Sequence, residues 1–291
     1  MEIKEQSTLM PMNNSPKVTI VTVVYNDAAH LERTMRSVLD QTYKNIEYVI
    51  IDGGSTDGTV AVIKKYADRL AYWVSEKDKG IYDAMNKGIS RATGTWLNFM
   101  NSGDYFVSNN VFEKIFSADH AQSDLLYGSF IGNFSGQKVA CVAFDSVPDR
   151  AWQGMPLSQQ ALFTRTELMK KNPFDTSFKV SADGNFVAQC VVAKRVFERL
   201  DMMIFEVGTM GYSHDNWLRA RRENWRIART YFPSLRTDWY HGSHLAREVV
   251  FRVFKKLASY IGLYQLLRYV YRKTLRSRVP LLPKNVSLYK E

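Results

Sequence analysis

Val18-Thr-Ile-Val-Thr-Val-Val24 running into Tyr25-Asn26-Asp27, and then Ile46-Glu-Tyr-Val-Ile-Ile51 running into Asp52-Gly-Gly-Ser-Thr-Asp-Gly-Thr59, decide how this chain folds. Each run is short, rich in β-branched residues and almost uninterruptedly apolar, which describes a strand buried on both faces. Each ends in small polar residues that start helices. After the first, Leu31, Met35, Val38 and Leu39 recur at helical spacing, with Asn26 or Asp27 placed to cap. After the second, Val62, Ile63 and Tyr66 do the same. Working outward, Ala71 to Val74 predicts a third strand, Ile81 to Arg91 a helix, and Trp96 to Met100 a fourth strand.

Strands and helices alternating through short connections make parallel βαβ units in an open twisted sheet. Ligands of such sheets gather at the carboxyl ends of the strands. Three segments belong there: Tyr25-Asn26, Asp52 to Thr59, and Asn101-Ser-Gly-Asp104. They are also the most polar and glycine-rich loops of this half. Beyond Asp104 the pattern loosens. Leu125 to Ile131 and Lys138 to Phe144 predict strands of a mixed or antiparallel section, Phe186 to Arg199 a helix begun by Ser181-Ala-Asp-Gly184, and Met203 to Val207 a late strand.

A chain of 291 residues, 45% hydrophobic and 23% charged, is an ordinary folded protein with length for a substantial core. Cys141 and Cys190 lie in apolar surroundings without a CxxC or Cys/His cluster, so they read as buried thiols of a reducing compartment and exclude a thiolate zinc site. Residues 1–16 carry mixed charge and no apolar run; they predict a flexible lead-in and exclude a signal peptide. The apolar stretch Leu257 to Leu267 falls short of the about 18 residues that a spanning helix requires. Charge divides the chain. Residues 1–215 hold 22 Lys/Arg against 25 Asp/Glu, a net of −3, while 216–291 hold 17 against 4, a net of +13. The expected organisation is therefore a domain over 17–215, in two halves at 17–104 and 105–215, followed by a basic helical extension over 216–291.

Asp104 follows a buried strand, and Gly103 lets the chain bend sharply enough to bring a carboxylate to the sheet edge. A hard cation such as Mg²⁺ or Mn²⁺ asks for one or two carboxylates and fills its shell with water and phosphate oxygens. Asp104, with Asn101 nearby, meets that sparse demand; the same four residues also read as a plain turn with Asp104 capping the next helix. The loop Asp52 to Thr59 lacks the spacing of a P-loop or of a dinucleotide fingerprint. Asp52 at the strand tip would repel phosphate and suits a base imide or a ribose hydroxyl; an Asx-turn with a helix cap at Ser55 or Asp57 accounts for part of the loop.

Tyr25-Asn26, Asp52 to Thr59 and Asn101-Ser102-Gly103-Asp104, in that order after strands one, two and four, resemble family 2 glycosyltransferases. Glu76-Lys-Asp-Lys-Gly-Ile-Tyr-Asp-Ala-Met-Asn-Lys-Gly88, with Gly94 beyond, resembles the branch that builds bacterial colanic acid and O-antigen. The likeness spans Lys17 to Ser213 and implies a GT-A type α/β core with a mainly parallel central sheet flanked by helices. It further implies an inverting, metal-dependent hexosyl transfer from a nucleotide sugar, UDP by family habit with GDP and dTDP as alternatives, to a polyprenyl-diphosphate-linked saccharide. By that resemblance Tyr25 stacks on the base, with Asn26 beside it, and Asp52 contacts the base. Asp83, Lys87, Ser102 and Gly103 line the donor, and Asp104 binds Mn²⁺ or Mg²⁺ at the diphosphate. The family's Asp-x-Asp is reduced here to a single carboxylate, and Met85 stands where many members carry Arg. Asp183 matches the catalytic base, the competing reading being a helix cap. Gln159 and Gln160 match a segment where relatives carry His-Gln, in a donor or acceptor role or a structural one.

Between Leu245 and Lys273 polar and basic residues recur at intervals of three or four among apolar ones. Amphipathic helices with a basic face suit an anionic membrane, which places the protein in the cytoplasm, peripheral on the inner face of the plasma membrane. Packing of the apolar face on the catalytic domain is the second reading. A nucleic-acid role, coloured by Arg219-Ala-Arg-Arg222 between Trp217 and Trp225, has no recognised module behind it, and no nucleic-acid partner is expected. The alternative to an enzyme is a catalytically inactive nucleotide-sugar-binding scaffold at the membrane.

Overall fold

The computed structural model describes residues 15–134, 137–208 and 216–260. Nine strands form one sheet, ordered β3-β2-β1-β4-β8-β6-β9-β5, with β7 paired to β6. The first four are β1 (Val18–Val24), β2 (Ile46–Asp52), β3 (Tyr72–Ser75) and β4 (Trp96–Phe99), all parallel. Helices α1 (Ala28–Leu39), α2 (Thr59–Lys65) and α3 (Ile81–Arg91) connect them. These elements fall where the apolar runs and helical spacings put them, β3 displaced by one residue.

The far half is mixed. β5 (Tyr105–Phe106), β6 (Leu125–Phe134), β7 (Gln137–Cys141), β8 (Leu162–Arg165) and β9 (Phe197–Glu206) pair antiparallel except for β6 with β9. Three short helices sit among them: α4 (Val111–Phe116), α5 (Thr166–Lys171) and α6 (Ala182–Val192). Here the sequence reading needs correction. The helix expected to run to Arg199 stops at Val192, and β9 starts at Phe197. Lys194 takes φ +53°, the left-handed position that glycine usually fills at a helix end, so composition carried no signal there. Cys141 is half-buried rather than buried; Cys190 is buried, which pushes its thiol up to about 12.

Both faces of the central parallel strands are covered, which is why those strands are mostly apolar. Val21, Val23, Val49 and Ile51 face Tyr82, Met85 and Ile89 of α3 and Phe186 of α6. Val18, Ile20, Tyr48 and Ile50 face Leu31, Met35 and Val38 of α1 together with Phe112 and Ile115 of α4. Two further helices, α7 (Trp217–Tyr231) and α8 (Leu235–Tyr260), follow, with Ile227 of α7 joining the first cluster. Residues 1–14 of the lead-in, and 261–273 of the expected amphipathic segment, lie outside the described residues.

Glu47, a charged residue near the start of β2, is buried and serves as a tie. It accepts from Thr19 Oγ1 at 2.6 Å and from Thr93 N and Oγ1 at 2.6 Å each, with Lys17 Nζ at 3.1 Å. Burial works to raise its pKa, but the Thr19 and Thr93 hydrogen bonds with Lys17 outweigh it and hold the carboxyl at about 2. A carboxylate depressed in the fold stabilises above its ordinary value and loses that contribution as pH falls through the folded value. The drop from 4.5 corresponds to about 3 kcal/mol. Glu47→Gln should thus weaken the fold at pH 7 by roughly that much and flatten the loss of stability between pH 5 and 2, as read by urea unfolding. An unchanged acid slope would show that this tie carries no weight.

Candidate active site

Three loops meet at the carboxyl edge of the parallel strands, and hydrogen bonds lock them together. Asn26, at φ +49°, donates its N–H to Ser55 Oγ at 2.7 Å, and its Oδ1 receives Thr56 N at 2.9 Å. Asp57 takes the N–H groups of Ala28 and Thr59, each at 3.0 Å, and so anchors α1 and α2 at once. Asp27 Oδ2 accepts Ser102 Oγ at 2.7 Å, which draws the β4 loop to the β1 loop. On this frame the Tyr25 ring stands 65% exposed. The backbone beside it comes close: a Cβ at Gly53 would lie 3.3 Å from Tyr25 Cδ2 and 2.5 Å from Asp78 Oδ2. An exposed ring beside a bare backbone leaves a flat face open to stacking.

Asp52 is placed differently from its expected position facing a base. It is wholly buried, and its oxygens receive Gly54 N, Ser55 N, Ser55 Oγ and Ser75 Oγ at 2.5–3.2 Å. With its lone pairs turned into the loop, it shapes the floor beneath Tyr25. Asp83 opens α3 and receives Lys79 N at 3.0 Å. Lys87 lies one turn on, 2.7 Å from Glu76 and 4.0 Å from Asp83. Met85 between them is fully buried under Gln159, whose Nε2 lies 3.5 Å from its sulfur, so no cation occupies that position.

Asp104 sits at the bottom of the cleft. Gly103 takes φ +96°, a turn that side chains rarely tolerate, and this folds Asp104 back beneath the strand end. Thr34 Oγ1 holds the Asp104 carbonyl at 2.7 Å, Gln160 Nε2 donates to Oδ2 at 2.7 Å, and Gly208 N reaches Oδ1 at 3.3 Å. Burial pushes this carboxyl up to about 7 against those two hydrogen bonds. In the same turn Asn101 Oδ1 is buried with no partner among the described residues. A buried acid reluctant to ionise and an orphaned amide oxygen are both relieved by a hard cation, and the oxygen donor set is that of Mg²⁺ or Mn²⁺. Among the described residues no group of three or more His, Cys, Asp and Glu forms a fuller cage.

Asp183 begins α6. Its Oδ1 lies 2.9 Å from Tyr82 Oη and 2.9 Å from Gly184 N. The Tyr82 hydroxyl also reaches Val180 O at 2.7 Å. Asp183 borders a small cavity of about 10 Å³ shared with Gln159, Phe99, Phe174 and Phe186, room for about one water. Burial raises its pKa above the ordinary carboxylate range, with the charge of Glu223 acting in the same direction. Consecutive residues of the 3₁₀ turn Gln159–Ala161 thus serve two neighbourhoods, Gln160 donating to Asp104 and Gln159 lining the cavity that Asp183 borders. Sequence reading missed two supports. Tyr82 was hidden as one more apolar residue of α3. Glu223, in the basic extension, receives the N–H groups of Lys179, Val180 and Ser181 at 2.8–3.0 Å and fixes the approach to Asp183.

The family model described as Glycosyl transferase family 2 matches residues 19–172. A PGL/p-HBAD biosynthesis glycosyltransferase of Mycobacterium bovis is 33% identical over 182 residues, covering 60% of this chain and 70% of that protein. Two solved structures share the fold. Staphylococcus aureus TarS 1-349 in complex with UDP-GlcNAc aligns at TM-score 0.61 and 19% identity, over 81% of this chain and 73% of that one. The mannosyltransferase PcManGT from Pyrobaculum calidifontis, in complex with GDP-Man and Mn²⁺, aligns at TM-score 0.58 and 16% identity, over 94% and 91%. The GT-A type core expected from the sequence is thereby shown.

The Asp104 carboxyl has a measurable signature without any substrate. A carboxyl raised in the fold is protonated in both states below its ordinary 3.8; as pH climbs to about 7 only the unfolded chain ionises. In chelator, Asp104 should therefore cost stability progressively across that window, on the order of 4 kcal/mol in all. Asp104→Asn should remove this slope and leave the variant more stable than its parent at pH 8 in urea unfolding. Equal slopes in both chains would show that Asp104 ionises freely in the fold.

Proposed function

The chain belongs to glycosyl transferase family 2, and from that premise we propose that it is an inverting glycosyltransferase passing a hexose from a nucleotide sugar to a polyprenyl-diphosphate-linked saccharide. The observation that carries this reading is that one short turn serves two acids, Gln160 donating to the buried Asp104 and the adjacent Gln159 lining the small cavity that Asp183 borders. A donor base stacks on Tyr25, over the floor set by Asn26 and Asp52. Asp83 and Lys87 lie at the nucleotide's flank, and Ser102 and Gly103 border its diphosphate. Complexes of TarS with UDP-GlcNAc and of PcManGT with GDP-Man support a nucleotide-sugar donor of this kind. UDP is the donor nucleotide expected. A relative named as a PGL/p-HBAD biosynthesis glycosyltransferase supports a biosynthetic transfer, whose acceptor we read as lipid-borne in the assembly of a cell-surface polysaccharide.

Asp104 and Asn101 would hold Mn²⁺ or Mg²⁺, which when bound neutralises charge on the departing diphosphate. The remaining chemistry belongs to the chain. Asp183, ionised, takes the proton of the acceptor hydroxyl as its oxygen attacks the anomeric carbon. The anomeric C–O bond to the diphosphate breaks on the opposite face, so configuration inverts. A raised pKa makes Asp183 a stronger base near neutral pH than a surface carboxylate. Tyr82 and Glu223 hold the segment around it, and aromatic rings of Phe99, Phe174 and Phe186 limit water beside it.

Calorimetric titration of UDP, GDP and dTDP with and without Mn²⁺, on the parent chain and on Asp104→Ala, tests the donor site. One nucleotide should bind tightly only with metal, and the variant should lose that binding. Asp183→Asn should keep donor binding yet lose turnover by about 10²–10⁴-fold, measured as metal-dependent release of nucleotide from the sugar donor. Metal-independent or absent binding of all three nucleotides would refute the transferase mechanism and return weight to a scaffold.

A further inference from the structure

Helix α8 presents its faces in the opposite sense to a helix that exists to cover its own domain. Its inward side is polar. Thr237 and His241 are buried, His241 Nε2 lies 3.0 Å from Trp152 O, and Glu248 receives Arg221 Nε at 2.9 Å. Arg252 reaches Glu248 at 3.2 Å and stacks over Trp217 of α7 at 4.1 Å. Its outward side carries Leu235, Trp239, Ala246, Val249, Val250 and Val253, which helical spacing gathers into one stripe. Leu235 is 90% exposed, Trp239 74% and Val250 67%. The second reading of this segment, an apolar face packed on the catalytic domain, does not describe α8 over the described residues, because polar pairs to α7 and Trp152 fix its rotation.

Arg236 and Arg247 are exposed on α8, Arg236 with its guanidinium 4.3 Å from the Trp152 ring centre, and α7 exposes Arg219, Arg222, Arg226 and Arg229, of which Arg226 lies over Phe178 and Arg229 pairs with Asp238. Residues 216–291 as a whole hold 17 Lys/Arg against 4 Asp/Glu. A second copy of this chain meeting the first through the same stripe would bring like charges together. A nucleic acid would satisfy the arginines and leave the apolar side chains wet. An anionic bilayer satisfies both, taking apolar groups into the headgroup boundary and cations at its phosphates. Exposed tryptophan suits that boundary. No helix among the described residues is long and apolar enough to cross the membrane.

We propose that α8 docks this protein on an anionic lipid surface, with Leu235, Trp239, Val250 and Val253 entering the headgroup region and Arg236 and Arg247 at the phosphates. This deepens the lipid-borne acceptor reading by naming the surface that meets the acceptor's membrane, yet it needs neither donor nor turnover. The full chain, without nucleotide or metal, is sedimented with phosphatidylglycerol-rich vesicles and with pure phosphatidylcholine vesicles. Binding is expected to the first, weakened by salt and much lower on the second. Replacement of Trp239→Ser, Val250→Ser and Val253→Ser together should cut affinity at least about tenfold with the thermal melt unchanged. Because unfolding would mimic lost binding, Trp239→Phe is read in parallel. Quenching of tryptophan fluorescence by brominated lipid should be present in the parent and diminished in this variant. Three results overturn the proposal: no binding to anionic vesicles, equal binding of the folded triple variant, or a parent dimer that the triple variant splits. A parent chain that binds nucleotide but not anionic vesicles would reject this surface alone and leave the transferase reading intact.

Discussion

The carboxylate of Asp57 receives the N–H groups of Ala28 and Thr59, so one anion sits at the head of two helices, α1 and α2. Those amides belong to the unsatisfied donors of a helix start, and a negative charge there is favoured by both dipoles. With the helices fixed, the β1 and β2 loops have no freedom to drift apart. Asn26 then bonds across to Ser55 and Thr56, and Asp27 draws in Ser102 from β4. Three strands contribute to one edge whose floor is rigid before any ligand arrives. Pre-organisation of this kind lowers the ordering cost of binding.

Beneath that rim the governing constraint is the cost of burying charge. Asp104 and Asp183 both have raised pKa values for the same reason, desolvation, and each keeps only enough hydrogen bonds to be held in place. Glu47 shows the contrast. Also buried, it has four close donors, which outweigh its burial and hold it at about 2. Donor supply decides which buried carboxyl is a structural tie and which is left in need of a partner. Asn101 Oδ1, buried without a donor beside the under-supplied Asp104, marks the same spot by a different group.

The C-terminal helices are joined to this arrangement rather than appended to it. Ile227 of α7 enters the core, and Glu223 on the same helix grips the backbone of Lys179 to Ser181. A helix that holds the approach to Asp183 also supports α8, through Arg221 with Glu248 and Arg229 with Asp238. The outward apolar stripe is thereby held in fixed relation to the cleft.

By itself the sequence determined the alternation of strands and helices from Val18 to Phe99, the edge where their loops meet, and the candidate acids. These follow from local signals: a period of two or of 3.6, and small polar residues where strands end. It also told that the last quarter is basic. Tertiary structure decided the rest. Gln160 reaches Asp104 across 56 positions and Glu223 reaches Val180 across 43, pairings that no local pattern encodes. Asp52 had lone pairs suited to a base or to its own loop, and the nearness of Ser55 and Ser75 settled which. The rotation of α8 was decided by Trp152, Trp217 and Arg221, residues outside it. Periodicity states that a helix has two faces; only the elements it lands on determine which face is turned to water.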